Sequence, residues 1–243
     1  MKILVVNPNT TATMTETAAH AARSVAAPGT EIVAVTAADG PASIEGYYDE
    51  AFAVPGLIRA IREGAADGAD AAIVACFDDT GLDAARAFAA IPVVGLCEAA
   101  LVTAGQIAKR ISIVTTLSRS IVPIEDLVRR YGYAERVRVR ASDVPVLALE
   151  DPASGARAKL TAEIERALVE DRAEAIVLGC AGMADLARAL SLQYGLPVVD
   201  GVAAAVKQAE ALVGLKLSTS KTGTYAPPPA KPYAGLLAGF APL

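Results

Sequence analysis

Eight short runs of aliphatic and β-branched residues recur along the chain: KILVVN at 2–7, EIVAVT at 31–36, AAIVAC at 71–76, PVVGL at 92–96, ISIVTT at 111–116, RVRVRAS at 136–142, AIVLGC at 175–180 and PVVD at 197–200. Each has the length and composition of a strand. Between them, at 11–26, 51–66, 81–90, 98–109, 121–131, 156–170, 184–194 and 202–215, alanine-rich stretches are long enough for crossover helices. This βαβ rhythm predicts mainly parallel strands covered by helices on both faces, a doubly wound α/β architecture.

The pattern also repeats within the chain. ILVVNPNT at 3–10 resembles ISIVTTLS at 111–118, the segment around Cys76 resembles the segment around Cys180, and IPVVGL at 91–96 answers LPVVDG at 196–201. Near-constant offsets at three landmarks predict two similar parallel-sheet lobes, related by a pseudo-twofold axis, with the active site in the cleft between them. The first lobe is expected at 1–97, with a return of the chain near 202–217 left open, and the second at 98–217. From Ser218 the helical periodicity disappears and Pro, Gly and Thr accumulate, so 218–243 reads as a tail. Its apolar end, Leu236, Leu237, Phe240 and Leu243, is either loosely ordered or packed on a neighbouring subunit.

Composition removes whole classes of function. The chain has 243 residues, 53% hydrophobic and 20% charged, as expected of a compact globular protein rather than a disordered one. With 22 basic against 27 acidic residues, a net charge of -5 and no basic block, it is not expected to bind nucleic acid. The mean hydropathy of +0.41 owes much to alanine. The apolar runs fall far short of a membrane span, and MKILVVNPNT lacks a secretory signal, so cytoplasmic residence is the expectation. Three scattered cysteines are read as reduced thiols. No GxGxxG opens the first helix, no GxxxxGK[ST] occurs, and the one histidine, His20, falls on a solvated helix face. Neither a cofactor nor a metal is expected.

In open α/β sheets, ligands bind beyond the carboxyl ends of the strands. That rule directs attention to NPNTT, CFDDTGL, TTLSRS and GCAGM. Cys76 and Cys180 close equivalent apolar runs, so the duplication sets two thiols at matching positions on opposite walls. Such a pair suits a two-base racemisation, one sulfur removing a proton from one face of a carbon while the other donates to the opposite face. Both cysteines precede helix starts, whose backbone N–H groups favour thiolate and can stabilise an enolate-like oxygen. Thr80 and Asp83 have capping-box spacing, and Gly179 and Gly182 permit close backbone approach to a ligand. The competing reading of a strand-end cysteine is a small core residue. Repetition argues against it for the pair, whereas Cys97, whose counterpart is Val202, is read as core. Asp78 and Asp79 serve equally as paired acids or as helix caps, and Asn9, Thr10, Thr115, Thr116 and Ser118 as ligand contacts or caps. Arg119 is the one cation in these loops, which favours a neutral polar substrate over a doubly charged one.

NPNTT at 7–11, PASIEGYYDEA at 41–51, ACFDDTGLDAAR at 75–86, SIVTTLSR at 112–119, VPVLALED at 144–151, VLGCAGMADLA at 177–187 and PVVDGVAAAVK at 197–207 together resemble the aspartate/glutamate racemase superfamily. Within it they resemble the hydantoin and allantoin racemases, over nearly residues 1–216. The resemblance implies that Cys76 and Cys180 are the acid/base residues, each serving one enantiomer, without metal or cofactor. It implies a 5-monosubstituted hydantoin or ureide such as allantoin as substrate, a homo-oligomer, and a setting in purine catabolism. Phe77, Asp78 and Asp79 are expected in the pocket loop, Asn9 at the rim, the backbone of Ala181 and Gly182 against ring carbonyls or amides, and Ile44 and Tyr47 against the 5-substituent. Racemisation of aspartate or glutamate, a related decarboxylation or isomerisation, and non-catalytic binding of a small amide are the other readings kept open.

Overall fold

The computed structural model describes residues 1–242, apart from the side chains at positions 150, 152, 184 and 185. Leu243, the last apolar residue of the tail, lies outside the described residues. The apolar runs form two parallel four-stranded sheets. The first, in the order β2-β1-β3-β4, contains β1 (Lys2–Asn7), β2 (Glu31–Thr36), β3 (Ala71–Val74) and β4 (Val93–Gly95). The second repeats that order as β6-β5-β7-β8, from β5 (Ile111–Thr115), β6 (Val137–Ala141), β7 (Ala175–Gly179) and β8 (Val198–Asp200). The register repeats as well: Ile3 lies opposite Ala71 in the first sheet, and Ile111 opposite Ala175 in the second.

Alternate residues of each strand face opposite sides, and both sides are covered. Ile3, Val5 and Ile73 of one sheet and Ile111, Ile113 and Val177 of the other belong to a single core. Helices α1 (Ala12–Val25), α4 (Leu96–Ile107) and α8 (Gly201–Gly214) fill it. On the outer face of the first sheet, Leu4, Val6 and Val74 pack under α2 (Tyr47–Ala66) and α3 (Leu82–Phe88). On that of the second, Val114, Ile176 and Leu178 pack under α6 (Ala156–Arg166) and α7 (Ala187–Tyr194). Helix α5 (Ile121–Arg130) follows β5 and packs beside β6. Each helix that leaves a fourth strand crosses to the other sheet: α4 lies against β7 and β8, and α8 against β3 and β4.

Two helices depart from the ranges the periodicity predicts. Helix α2 starts earlier, at Tyr47, after Gly46 in a positive-φ conformation (φ 144) that glycine adopts without strain. Helix α6 gives way at Ala167 to a π-helical turn ending at Asp171. The wider turn brings Glu170 and Asp171 round to Arg140, which also binds Glu163. The tail, expected to be loose or on a neighbouring subunit, folds back on α2 and α3 of its own chain. There Tyr225 donates to Asp83 (2.8 Å), Arg62 to the Gly239 carbonyl (3.1 Å), and Arg59 stacks on Phe240. Among the described residues no helix is long and apolar enough to cross a membrane.

Candidate active site

Both cysteines sit where a strand ends and the chain turns. After β3 the Asp79 N–H donates to the Cys76 carbonyl (3.1 Å), and after β7 the Met183 N–H donates to the Cys180 carbonyl (3.0 Å). The two side chains line one cleft between the lobes. The first lobe contributes Asn9, Met14, Ile44, Phe77 and Asp78 to its walls, and the second Thr115, Thr116, Ser120, Val146 and Ala181. At Gly179 a Cβ would lie 2.9 Å from the Thr115 Cβ, so only glycine lets β7 approach β5 this closely. The Thr115 hydroxyl donates to the Gly179 carbonyl (3.1 Å), which makes it a brace for the strand that delivers Cys180.

Asn9 is buried at the cleft wall. Its carbonyl oxygen accepts from the Asn7 amide (2.8 Å) and the Thr11 N–H (2.9 Å), while among the described residues its NH2 group meets only the weakly accepting Met14 sulfur (3.6 Å). Its donor capacity is therefore left for the cleft. The segment 41–47 crosses from the first lobe to the second. The Val146 N–H donates to Glu45 (3.2 Å), the Tyr47 hydroxyl donates to Asp126 (3.1 Å), and the Arg119 guanidinium lies against Gly46. These contacts carry Ile44 to the same cleft that Val146 lines.

Electrostatics differ from the sequence expectation at Cys76. Burial pushes its thiol well up, the Asp78 carboxylate pushes further, and the hydrogen bonds from the Thr80 hydroxyl (3.4 Å) and the Asp78 backbone only partly offset them. The surroundings of Cys76 thus favour the thiol form, where a helix N-terminus would have favoured thiolate. The reason is local: α3 begins only at Leu82, behind Gly81 in the left-handed conformation (φ 68), without a side-chain cap. The Thr80–Asp83 capping box does not form; Thr80 serves the sulfur and Asp83 accepts from Tyr225. Burial, with Glu50 and then Asp79, raises the Asp78 carboxyl to about 7.

Of the two readings left open for Asp79, the structure carries the cap. The residue is buried with φ 48, and its carboxylate leaves the cleft to accept from the N–H groups of Cys97 and Glu98 (both 3.0 Å) and the Tyr131 hydroxyl (2.7 Å). It caps α4 from outside and ties the loop after Cys76 to the second lobe. Cys97 is fully buried core, as its pairing with Val202 predicts. Tyr47 is more than half exposed and lines a neighbouring cavity. Gly182 does not reach the cleft wall, but a Cβ there would lie 3.7 Å from the Cys180 sulfur, so its small size leaves that atom room. Met14, Ser120 and Val146 line the cleft without having been singled out. Ser120 and Val146 stand in or beside motifs already recognised, and Met14 lies within a turn of NPNTT.

The comparisons agree with this geometry. A sequence profile described as Asp/Glu/Hydantoin racemase matches residues 3–209. A hydantoin racemase of Rhizobium meliloti is 52% identical over 236 residues, 97% of this chain and 98% of that protein. Another, from Pseudomonas sp. (strain NS671), is 49% identical over 242 residues, covering 99% of this chain and 97% of that one. The solved structure of allantoin racemase from Klebsiella pneumoniae superposes with a TM-score of 0.97 at 48% identity, over 100% of both chains. With strand order, cleft and sequence in accord over nearly its whole length, the chain belongs to the Asp/Glu/Hydantoin racemase family and is an isomerase.

Proposed function

We propose that the protein racemises 5-monosubstituted hydantoins, allantoin among them, by moving the C5 proton between Cys76 and Cys180. The observation that carries this reading is the placement of both cysteines on one cleft at equivalent strand ends. The relatives at 52% and 49% identity are hydantoin racemases, and the solved relative at 48% is an allantoin racemase. The ring carbonyl beside C5 acidifies its proton, and removal of that proton leaves an enolate. One of the two sulfurs removes the C5 proton as thiolate while the other, as thiol, donates to the opposite face, and the roles exchange for the other enantiomer. The Asn9 amide, which among the described residues donates to no more than a sulfur, supplies a donor to a ring carbonyl. Among the described residues lining the cleft none is cationic, so a free aspartate or glutamate would find no side-chain counter-charge there.

The test is optical rotation of single enantiomers of allantoin and of 5-benzylhydantoin, without added metal or cofactor. Rotation should decay to zero with hydantoins and stay constant with aspartate and glutamate. Cys76→Ser and Cys180→Ser should each slow racemisation by about 10³-fold or more while retaining deuterium exchange at C5 with one enantiomer only. Racemisation at the native rate by either variant overturns the two-thiol mechanism.

A further inference from the structure

A second cavity, of about 290 Å3, lies beside the cleft, between α2, the loop after Cys76 and α5. Asp78 lines both cavities. Within the second stands Glu50, one of whose carboxylate oxygens, Oε1, is buried without a hydrogen-bond partner among the described residues. The rim is formed by exposed Tyr47, Asp83, Asp126 and Arg130, so this cavity opens to solvent. The cleft itself has Asp78 as the one carboxylate among the described residues lining it.

This arrangement answers a requirement of two-base racemisation, and the inference rests on that reading. One turnover leaves the accepting sulfur protonated and the donating sulfur as thiolate. The same enantiomer cannot be processed again until both are reset. We propose that Cys76, Asp78 and Glu50 form a proton relay that resets the enzyme through the side cavity. In the step that unloads Cys76, the S–H proton passes to the Asp78 carboxylate, leaving thiolate and carboxylic acid. Asp78 passes that proton to Glu50, and Glu50 releases it to water in the side cavity. Cys180 takes its replacement proton from solvent at the cleft mouth, so protons and charge balance over the cycle. The reverse sequence reloads Cys76. Burial holds Asp78 near 7, so both of its forms are within reach at neutrality, and burial and then Asp49 raise Glu50 in the same direction.

Glu50→Gln in the full chain tests the relay. Resetting occurs between turnovers, so it limits kcat and not kcat/KM. The variant should lose about tenfold in kcat while kcat/KM stays within about twofold, and acetate or imidazole as a small diffusible proton carrier should restore kcat. An unchanged kcat overturns the relay, as does an equal fall in kcat and kcat/KM that these carriers do not restore, since that marks a structural or direct role. A wild-type enzyme inert towards hydantoins instead defeats the parent reading, and the relay with it. A racemising wild type with an unaltered Glu50→Gln variant defeats the relay alone.

Discussion

At the scale of single residues, the two cysteines were legible because the chain carries the same loop twice, and equivalence supplied what proximity could not. The neighbouring aspartates were not, because adjacent carboxylates in one loop take opposite directions. Asp78 faces the cleft, while the partners of Asp79 lie on α4 and at Tyr131, positions no local pattern connects to it. The environment of Asp78 carries a stability consequence. Its carboxyl is raised to about 7 in the folded chain, chiefly by burial, so the native state binds the proton more tightly than the unfolded state does. Stability should therefore fall as pH rises from the unfolded value of about 4 towards 7, with the full cost present above that range. Asp78→Asn is neutral throughout and escapes the cost. Thermal unfolding should show the variant level with the wild type near pH 4 and stabler at pH 8, by about 4 kcal/mol if the whole shift of about three pKa units is expressed. A variant less stable at pH 8 would mean that the carboxylate makes a favourable interaction outweighing its burial.

At the scale of elements, every strand was readable: the inner strands because buried parallel strands must be apolar on both faces, and the partly buried edge strands β2 and β6 from their β-branched alternation. Helix starts were less so, since a cap can come from a distant side chain. The two helices that cross between lobes show the contrast. Helix α8 is capped by Asp200, whose carboxylate accepts from the N–H groups of Val202 (3.0 Å) and Ala203 (2.8 Å). At the equivalent position before α4 stands Gly95, with nearly the same backbone (φ -94, ψ 153 against φ -91, ψ 129). The missing carboxylate is supplied by Asp79, and a Cβ on Gly95 would lie 2.4 Å from its oxygen. One cap is thus built in two ways. Asp79→Ala should cost about 2–3 kcal/mol, from the lost cap and the stranded Tyr131 hydroxyl. Gly95→Asp alone should destabilise by collision. In the Asp79→Ala background, the same change should recover about 1 kcal/mol or more, because the new carboxylate occupies the place that Asp200 holds in the other lobe. Denaturant unfolding of the four proteins measures this coupling, and strictly additive losses would refute the shared cap.

At the scale of the whole molecule, the duplication made two lobes legible but not how they are joined. An amphipathic helix pattern says which face is buried and not which sheet buries it, so the crossing of α4 appears only in three dimensions, and the return of α8 that the sequence leaves open is decided there. The consequence is mechanical as well as architectural. Residues of β1 and β3 share a continuous core with residues of β5 and β7, through α1, α4 and α8. Asp79 to Tyr131, Glu45 to Val146 and Tyr47 to Asp126 add three further ties across the lobes. If one sheet melts, the other loses the helix that covers its inner face, and the exposed aliphatic surface costs roughly 25 cal/mol per Å2. Neither lobe then has a stable folded state of its own. Calorimetry should show one unfolding transition whose calorimetric and van't Hoff enthalpies agree for the cooperative unit, despite the repeated lobes. Two resolved transitions, or a second lobe that folds when expressed alone, would mean that the crossing helices are dispensable and that the cleft is held by its surface ties instead.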